Sequence, residues 1–372
     1  MKLIYLIAGT YRPAGMERVL AGKANWLAAH GNEVVIVTTD QRGQEPAFEM
    51  DPSIRCIDLG INYEENNGGS FASKLLHYPG KQMRHRKALK ALLLKEKADI
   101  VVSMFCNDAS FVTRIKDGSR KVLEIHFSRF KRLQYGRKGL WAVADRFRSW
   151  NDRRVASRFD RFVVLTHEDR QFWGDMDNIR VIPNARTFTC AEPSSLDGRQ
   201  VIAVGRYCYQ KAMDRLVEAW GLVEGRDGWT LRIAGDGEDR AMLEGKIMDA
   251  GLEGSVVLGP CHDMLSEYMK SSIFALCSRY EGLPMVLLEA QAVGIPVVTF
   301  DCKCGPRDVV TDGVDGFIVP EGDVKALAAR IETLIKDDTL RRQMGAAAFK
   351  ASNRFDEEKI MNQWKEMFEE LL

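Results

Sequence analysis

Two glutamates, Glu281 and Glu289, bracket the run MVLL in the stretch RYEGLPMVLLEAQAVGIPVV, residues 279–298. Glu281 follows FALCS, which reads as a buried strand, and Glu289 falls among Met285, Leu288, Ala292 and Val293 on an apolar helix. A carboxylate buried without donors costs several kcal/mol, so Glu289 requires hydrogen-bond partners. The hydroxyls of a ribose would meet that need; an Arg or Lys partner, or a solvated position, would meet it equally. Pro284 suits the first turn of a helix, where its missing N–H is no loss. The helix is therefore expected to start near Leu283, with the N–H groups of Gly282 to Met285 unpaired and ready for an anion.

Two more loops carry the same signature. In VIAVGRYCYQKAMDRL, Gly205 and Arg206 end a strand and Lys211 is expected to open a helix. A guanidinium fork and an ammonium point charge beside a helix N-terminus suit a diphosphate. In FDCKCGPRDVVTDGVDGFIV, Gly305 and Pro306 again begin a helix after a strand end. Each loop alone is weak; three in one half, in this order, are strong.

The elements that must hold these loops alternate short apolar runs with helical periodicity, the pattern of parallel sheets covered by helices. LIYLIA (3–8) reads as a strand, MERVLAGKANWLAAHG as a helix stopped by Gly31, and VVIVTTD (34–40) as the next strand. Further strands are expected near 54–59, 98–105, 121–127 and 162–166, with 62–72 an exposed loop. A second series starts at VIAVG (201–205) and continues through LRIAG, VVLG, FALCS, VVTF and FIVP. Pro, Ser and polar residues cluster in 183–198, the expected joint. The final helix has Ile360, Trp364, Met367 and Leu371 on one stripe. The reading is α/β: two doubly wound Rossmann-like domains that should meet at a cleft, spanning 1–185 and 186–352, with the helix in 353–372 crossing back to the first.

At 372 residues, with 45% hydrophobic and 28% charged residues, two ordinary globular domains are expected. A net charge of +1 makes no case for nucleic acid. The halves differ, however. Residues 1–185 hold 31 Lys and Arg against 21 Asp and Glu, or +10, leaving 22 against 31, or −9, in the remainder. Such asymmetry fits either an anionic partner for the first half or two domains that attract each other. The eight cysteines form no C-x-x-C pair, which fits a reducing, cytoplasmic setting. MKLIYLIAG is too short for a signal peptide, and no apolar run approaches a membrane span.

GR-x4-K, AGDG, EGLPMVLLEA with its E-x7-E spacing, CGPRD and DGVDGFIV together resemble glycosyltransferase family 4. The resemblance is closest over residues 200 to 320 and looser over the N-terminal half, where AGMERV looks like the family's glycine loop. It implies the GT-B fold and a retaining glycosyltransferase. Arg206 and Lys211 would neutralise the donor diphosphate, Glu281 would bind the donor sugar, and Glu289 would hold the ribose. Gly205, Gly282, Leu283 and Pro284 would line the donor, and Gly15 and Met16 would approach its diphosphate from the other domain. His126, in KVLEIHF, matches a family position beside the reacting carbon; a lone histidine at a strand end is otherwise a structural residue more often than not. Two glycines of the family pattern are here Ala14 and Ala212, which would be strained at any position needing positive φ.

The implied reaction moves a hexose or N-acetylhexosamine from a nucleotide-diphosphate sugar, a UDP-sugar by general likeness, to a glycan or polyprenyl-linked acceptor in surface polysaccharide biosynthesis. No cofactor or metal is expected, since no Asp-x-Asp stands where a divalent ion would bridge a diphosphate. Residues 129–161 hold 11 Lys and Arg against three acids, interleaved with Phe130, Leu133, Leu140, Trp141, Phe147 and Trp150. With KQMRHRKALKALLLK (81–95) they suit an anionic membrane surface on the cytoplasmic face, or simply a solvated basic helix. Two rivals stand: a non-catalytic nucleotide-sugar or glycan binder, and a nicotinamide-dependent dehydrogenase reading Asp40 as its ribose acid. The second lacks G-x-G-x-x-G spacing in GTYRPAG.

Overall fold

A computed structural model of the protein describes residues 1–66, 71–129 and 139–372. These form two compact units: Met1–Leu165, Arg170–Ile182 and Met361–Leu372 in the first, Thr166–Asp169 and Pro183–Ile360 in the second.

The first unit is built on seven parallel strands: β1 (Lys2–Ile7), β2 (Glu33–Thr38), β3 (Arg55–Asp58), β4 (Ile100–Ser103), β5 (Arg120–Glu124), β6 (Arg161–Val164) and β7 (Ile179–Val181). Their order is β3-β2-β1-β4-β5-β6-β7. Leu3 to Ile7 are all buried, as a parallel strand covered on both faces requires. Sequential strands run outward from β1 one way and from β4 the other, so the direction reverses between these two. Doubly wound sheets bind ligands at the carboxyl ends of the strands flanking such a reversal. Around the sheet lie α1 (Gly15–Ala29), α2 (Phe71–Glu96), α3 (Leu140–Ala156) and α4 (His167–Trp173).

In the second unit six parallel strands, β8 (Gln200–Val204), β9 (Thr230–Ala234), β10 (Val256–Gly259), β11 (Ile273–Leu276), β12 (Val297–Phe300) and β13 (Gly316–Val319), follow the order β10-β9-β8-β11-β12-β13. The reversal here falls between β8 and β11. Helices α5 (Met213–Leu222), α6 (Arg240–Asp249), α7 (Met264–Met269), α8 (Met285–Ala292), α9 (Pro306–Val309), α10 (Val324–Lys336) and α11 (Asp338–Ser352) accompany it. α5 buries Met213, Leu216, Val217 and Trp220 on one stripe, a core-facing amphipathic helix. α8 is different: Leu287 to Ala292 are all buried, so it is an interior helix.

The last helix, α12 (Glu357–Glu369), joins the first unit from Met361 onward. Its Trp364 ring centre lies 3.5 Å from Lys23 Nζ, and Arg120 Nε donates to the Leu371 carbonyl at 2.9 Å. The stripe of Ile360, Trp364, Met367 and Leu371 is buried.

Several local expectations are corrected. Residues 63–66 form a 3-10 turn rather than open loop, and α2 already runs from Phe71. β7 carries no sequence signal because IRV is too short to show a period. Pro284 caps α8 instead of occupying its first turn: with ψ of 99° it is extended, and the helix starts at Met285. Lys211 does not open α5 either. Ala212 stands before that helix in the left-handed region (φ 50°, ψ 41°), and the amides of Lys211 and Ala212 both donate to the Cys208 carbonyl. Lys211 thus lies in a turn, and Ala212, where the family pattern often has glycine, takes a positive φ. Ala14, by contrast, is extended (φ −117°) and unstrained.

Candidate donor and sugar sites

β8 and β11 are neighbours, so the loops at their carboxyl ends are brought together where the strand order reverses. Lys211 Nζ lies 2.6 Å from Glu281 Oε1, with the side chains 19% and 7% exposed. Ser278 Oγ donates to the same oxygen at 2.6 Å. The loops are also stitched through their backbones: Arg279 N donates to Gln210 O, and Gln210 Nε2 donates to Tyr280 O. Burial lowers the Lys211 pKa, but the attraction and hydrogen bond of Glu281 outweigh it, so the net shift is upward and the ammonium stays charged. Gly205 leaves the path for this lysine: a Cβ there would stand 3.2 Å from Lys211 Cδ and Cε. Arg206 is exposed and, among the described residues, makes no ion pair.

The turn Gly282-Leu283-Pro284 lies against the CGPRD loop. A Cβ on Gly305 (φ +102°) would meet Pro284 Cδ at 2.6 Å and Gly282 O at 3.0 Å, so only glycine allows this approach. Glu289, one helix turn further in, is 6% exposed. Its carboxylate accepts from Thr187 Oγ1 (3.0 Å) and Tyr268 Oη (2.8 Å). Its partners thus include two hydroxyls. Ser278, Thr187 and Tyr268 escaped sequence reasoning. Ser278 merged with an apolar run, and Thr187 and Tyr268 come from a linker and another helix, with no local pattern tying them to Glu289.

In the first unit His126 lies just past β5, its side chain 8% exposed and its Nε2 3.0 Å from Glu124 Oε1. Lys23 Nζ meets that same oxygen at 2.5 Å. Glu17, in the first turn of α1, is also buried; burial holds its carboxyl above the usual range, against its own amide, Arg12 and His126. Lys23, Glu124 and Glu17 were not singled out from sequence, since each sits inside an ordinary helix or strand pattern. Gly15 is the exposed first residue of α1, and a Cβ there would meet nothing within 4 Å. The fold itself makes no demand for glycine at 15. Met16 beside it is half-buried.

Residues 13–186 match the family described as Glycosyltransferase Family 4, and residues 190–351 match Glycosyl transferases group 1. The amylovoran biosynthesis glycosyltransferase AmsD of Erwinia amylovora is 35% identical over 390 residues, covering 98% of this chain and 99% of AmsD. The chain belongs to glycosyltransferase family 4. A second relative of this family 4 chain is a Campylobacter jejuni α-1,4-N-acetyl-D-galactosaminyltransferase whose name specifies a GalNAc-containing, undecaprenol-diphosphate-linked substrate. It is 25% identical over 378 residues, covering 100% of this chain and 99% of its own. Among solved structures, Anabaena HepE in complex with UDP and glucose superposes with a TM-score of 0.74 at 17% identity, covering 100% of both chains. That likeness carries the GT-B fold.

In this family 4 chain, the glycines of AGDG have a packing reason. A Cβ on Gly235 would lie 2.0 Å from the Gly205 carbonyl oxygen. The β9 loop therefore lies directly on the GR loop and braces it. The dehydrogenase reading falls with the family assignment, and Asp40 agrees: it is 1% exposed and its oxygens accept from Glu64 N (2.8 Å) and Thr39 Oγ1 (2.7 Å).

Proposed function

We propose that this glycosyltransferase moves a hexose or N-acetylhexosamine, with retention, from a UDP-sugar to a lipid-linked or glycan acceptor in surface polysaccharide assembly. The observation that carries the proposal is the part-buried Lys211–Glu281 pair at the strand reversal, with Arg206, exposed and without an ion pair among the described residues, on the same loop. As the anomeric C–O bond to the diphosphate breaks, charge grows on the leaving phosphate. Arg206 and Lys211 stabilise that charge, the amides at the start of α8 add to it, and no metal is required. Glu281 then orients the sugar while Lys211 answers the phosphate. Glu289 holds the ribose, whose hydroxyls would add to those of Thr187 and Tyr268 from which its two oxygens already accept. His126 contacts the transferred sugar. The C. jejuni and Anabaena relatives support a polyprenyl-linked acceptor and a UDP donor respectively.

α3 supports acceptor delivery at a membrane surface. It turns Asp145 and Ser149 inward and leaves Val143, Phe147 and Trp150 between 53% and 65% exposed, beside Arg146, Arg148, Arg153 and Arg154. Burial alone would select the reverse. No helix among the described residues is long and apolar enough to cross a membrane. Phe130 and Leu133 lie outside the described residues, as do the side chains of Leu140 and Trp141.

The test is UDP release from a panel of UDP-hexoses and UDP-N-acetylhexosamines, with a polyprenyl-diphosphate-linked saccharide as acceptor and with chelator present. Arg206→Ala is expected to lower turnover by about a hundredfold or more without changing Tm, because the side chain is exposed. Lys211→Ala should cost as much turnover and lower Tm too, because it strands Glu281. Wild-type turnover in both variants would end the proposal. Binding of UDP-sugars with no transfer or hydrolysis would favour the non-catalytic binder, and activity lost in chelator but restored by magnesium or manganese would overturn metal independence.

A further inference from the structure

Beneath α1 the first unit buries a charge cluster that packing does not explain. Glu124, the last residue of β5, is fully buried; Lys23 on α1 is 5% exposed. The ammonium sits between Glu124 Oε1, 2.5 Å away, and the Trp364 ring. Glu124 Oε2 and Tyr5 Oη are buried and, among the described residues, without hydrogen-bond partners. Replacing a buried ion pair by apolar side chains is often neutral or stabilising, so this cluster is a costly way to fill a core.

Its geometry has one evident beneficiary. Residues 124 and 126 point to the same face of the extended chain, while Ile125 between them is buried and its amide donates to Val163 O. This brings His126 Nε2 within 3.0 Å of the oxygen that Lys23 holds, a close approach whose angle in this structure does not make a hydrogen bond. Burial pushes the Glu124 carboxyl up, but Lys23 and His126 together bring it down to about 2. The carboxylate is thus ionised and faces one ring nitrogen.

We infer that Glu124, anchored by Lys23, is a positioning residue for His126: it fixes the imidazole with Nε2–H toward the carboxylate, leaving Nδ1 for the sugar. The inference rests on the role proposed above for His126. Tautomer control of this kind is how a carboxylate usually acts through a histidine.

Glu124→Gln keeps the shape and removes the charge. UDP release is expected to fall at least about tenfold with little change in the donor KM, and combining it with His126→Ala should cost no more than His126→Ala alone. Because Gln leaves Lys23 without its counter-ion, the neutral pair Lys23→Met with Glu124→Gln is the companion variant. It should melt at or above the wild-type temperature and stay slow. Imidazole 15N spectra of the full chain need no turnover: His126 should carry its proton on Nε2 in the wild type and shift toward a mixed tautomer in the neutral pair. Wild-type turnover in the folded neutral pair, additive losses with His126→Ala, or unchanged 15N shifts would each overturn the inference. Wild-type turnover in His126→Ala would overturn the histidine's role and this inference together, leaving the Arg206 test of the donor site intact. If no donor turns over at all, the proposed function fails, and the 15N spectra still decide whether Glu124 holds His126.

Discussion

At the scale of single residues, the chain spends stability on buried carboxylates, and the fate of each depends on its partners. Glu281 has a lysine and a serine, Glu289 has two hydroxyls, and Glu124 has Lys23. Asp108, after β4 in the first unit, has no cation beside it among the described residues: burial raises its pKa to about 6, against the nearby Ser103 hydroxyl and its own amide, and its Oδ2 is unpartnered among them. Between its ordinary value of 3.8 and about 6 the folded chain holds a proton that the unfolded chain has lost. Stability therefore falls as pH rises through that window, by up to roughly 3 kcal/mol at neutral pH. Asp108→Asn should raise the denaturation midpoint at pH 7.5, with the gain shrinking toward pH 4. An equal gain at both values would show that ionisation is not the cause.

At the scale of elements, the close stacking of two loops fixes a third. Gly235 lets the β9 loop lie on the Gly205–Arg206 turn, which in turn leaves space for Lys211. Gly235→Ala should destabilise the second unit by roughly 2 to 3 kcal/mol through overpacking, and weaken UDP binding by moving Arg206 and Lys211. Gly245→Ala is the control: it lies inside α6 with nothing within 4 Å of the added Cβ, so it should be neutral or stabilise by about 0.5–1 kcal/mol. Chemical denaturation and UDP titration of both variants read the difference. The glycine motifs were legible in the sequence, but their roles were not. AGDG stands in the sequence only as a motif of the family resemblance, and its packing role comes from its distance to the neighbouring carbonyl.

At the scale of the whole molecule, the split of charge is the broadest feature: +10 over residues 1–185 and −9 over the rest. α2 holds seven Lys and Arg against one acid, and α3 adds exposed Phe147 and Trp150 rings 5.8 Å apart, with the Arg154 guanidinium 5.0 Å from the Trp150 ring. Aromatic rings flanked by arginines suit the boundary between anionic headgroups and acyl chains. The chain should float with anionic liposomes at low salt and lose much of that binding at high salt. Phe147→Ser with Trp150→Ser should reduce flotation further while leaving Tm unchanged. No flotation at low salt would remove the membrane from the proposal.

The sequence by itself determined the two α/β units, the order of most strands along the chain, and the three loops that begin with Gly-Arg, Glu-Gly-Leu-Pro and Cys-Gly-Pro. These are local properties: apolar period, turn residues and residue spacing are written within a few positions of each other. Only the tertiary structure decided who partners whom. Lys211 meets Glu281 across 70 positions, Thr187 meets Glu289 across 102, and Lys23 meets Glu124 across 101. Such pairs depend on which strands become neighbours. That choice is made by the packing of the entire sheet, so no short window of sequence contains it.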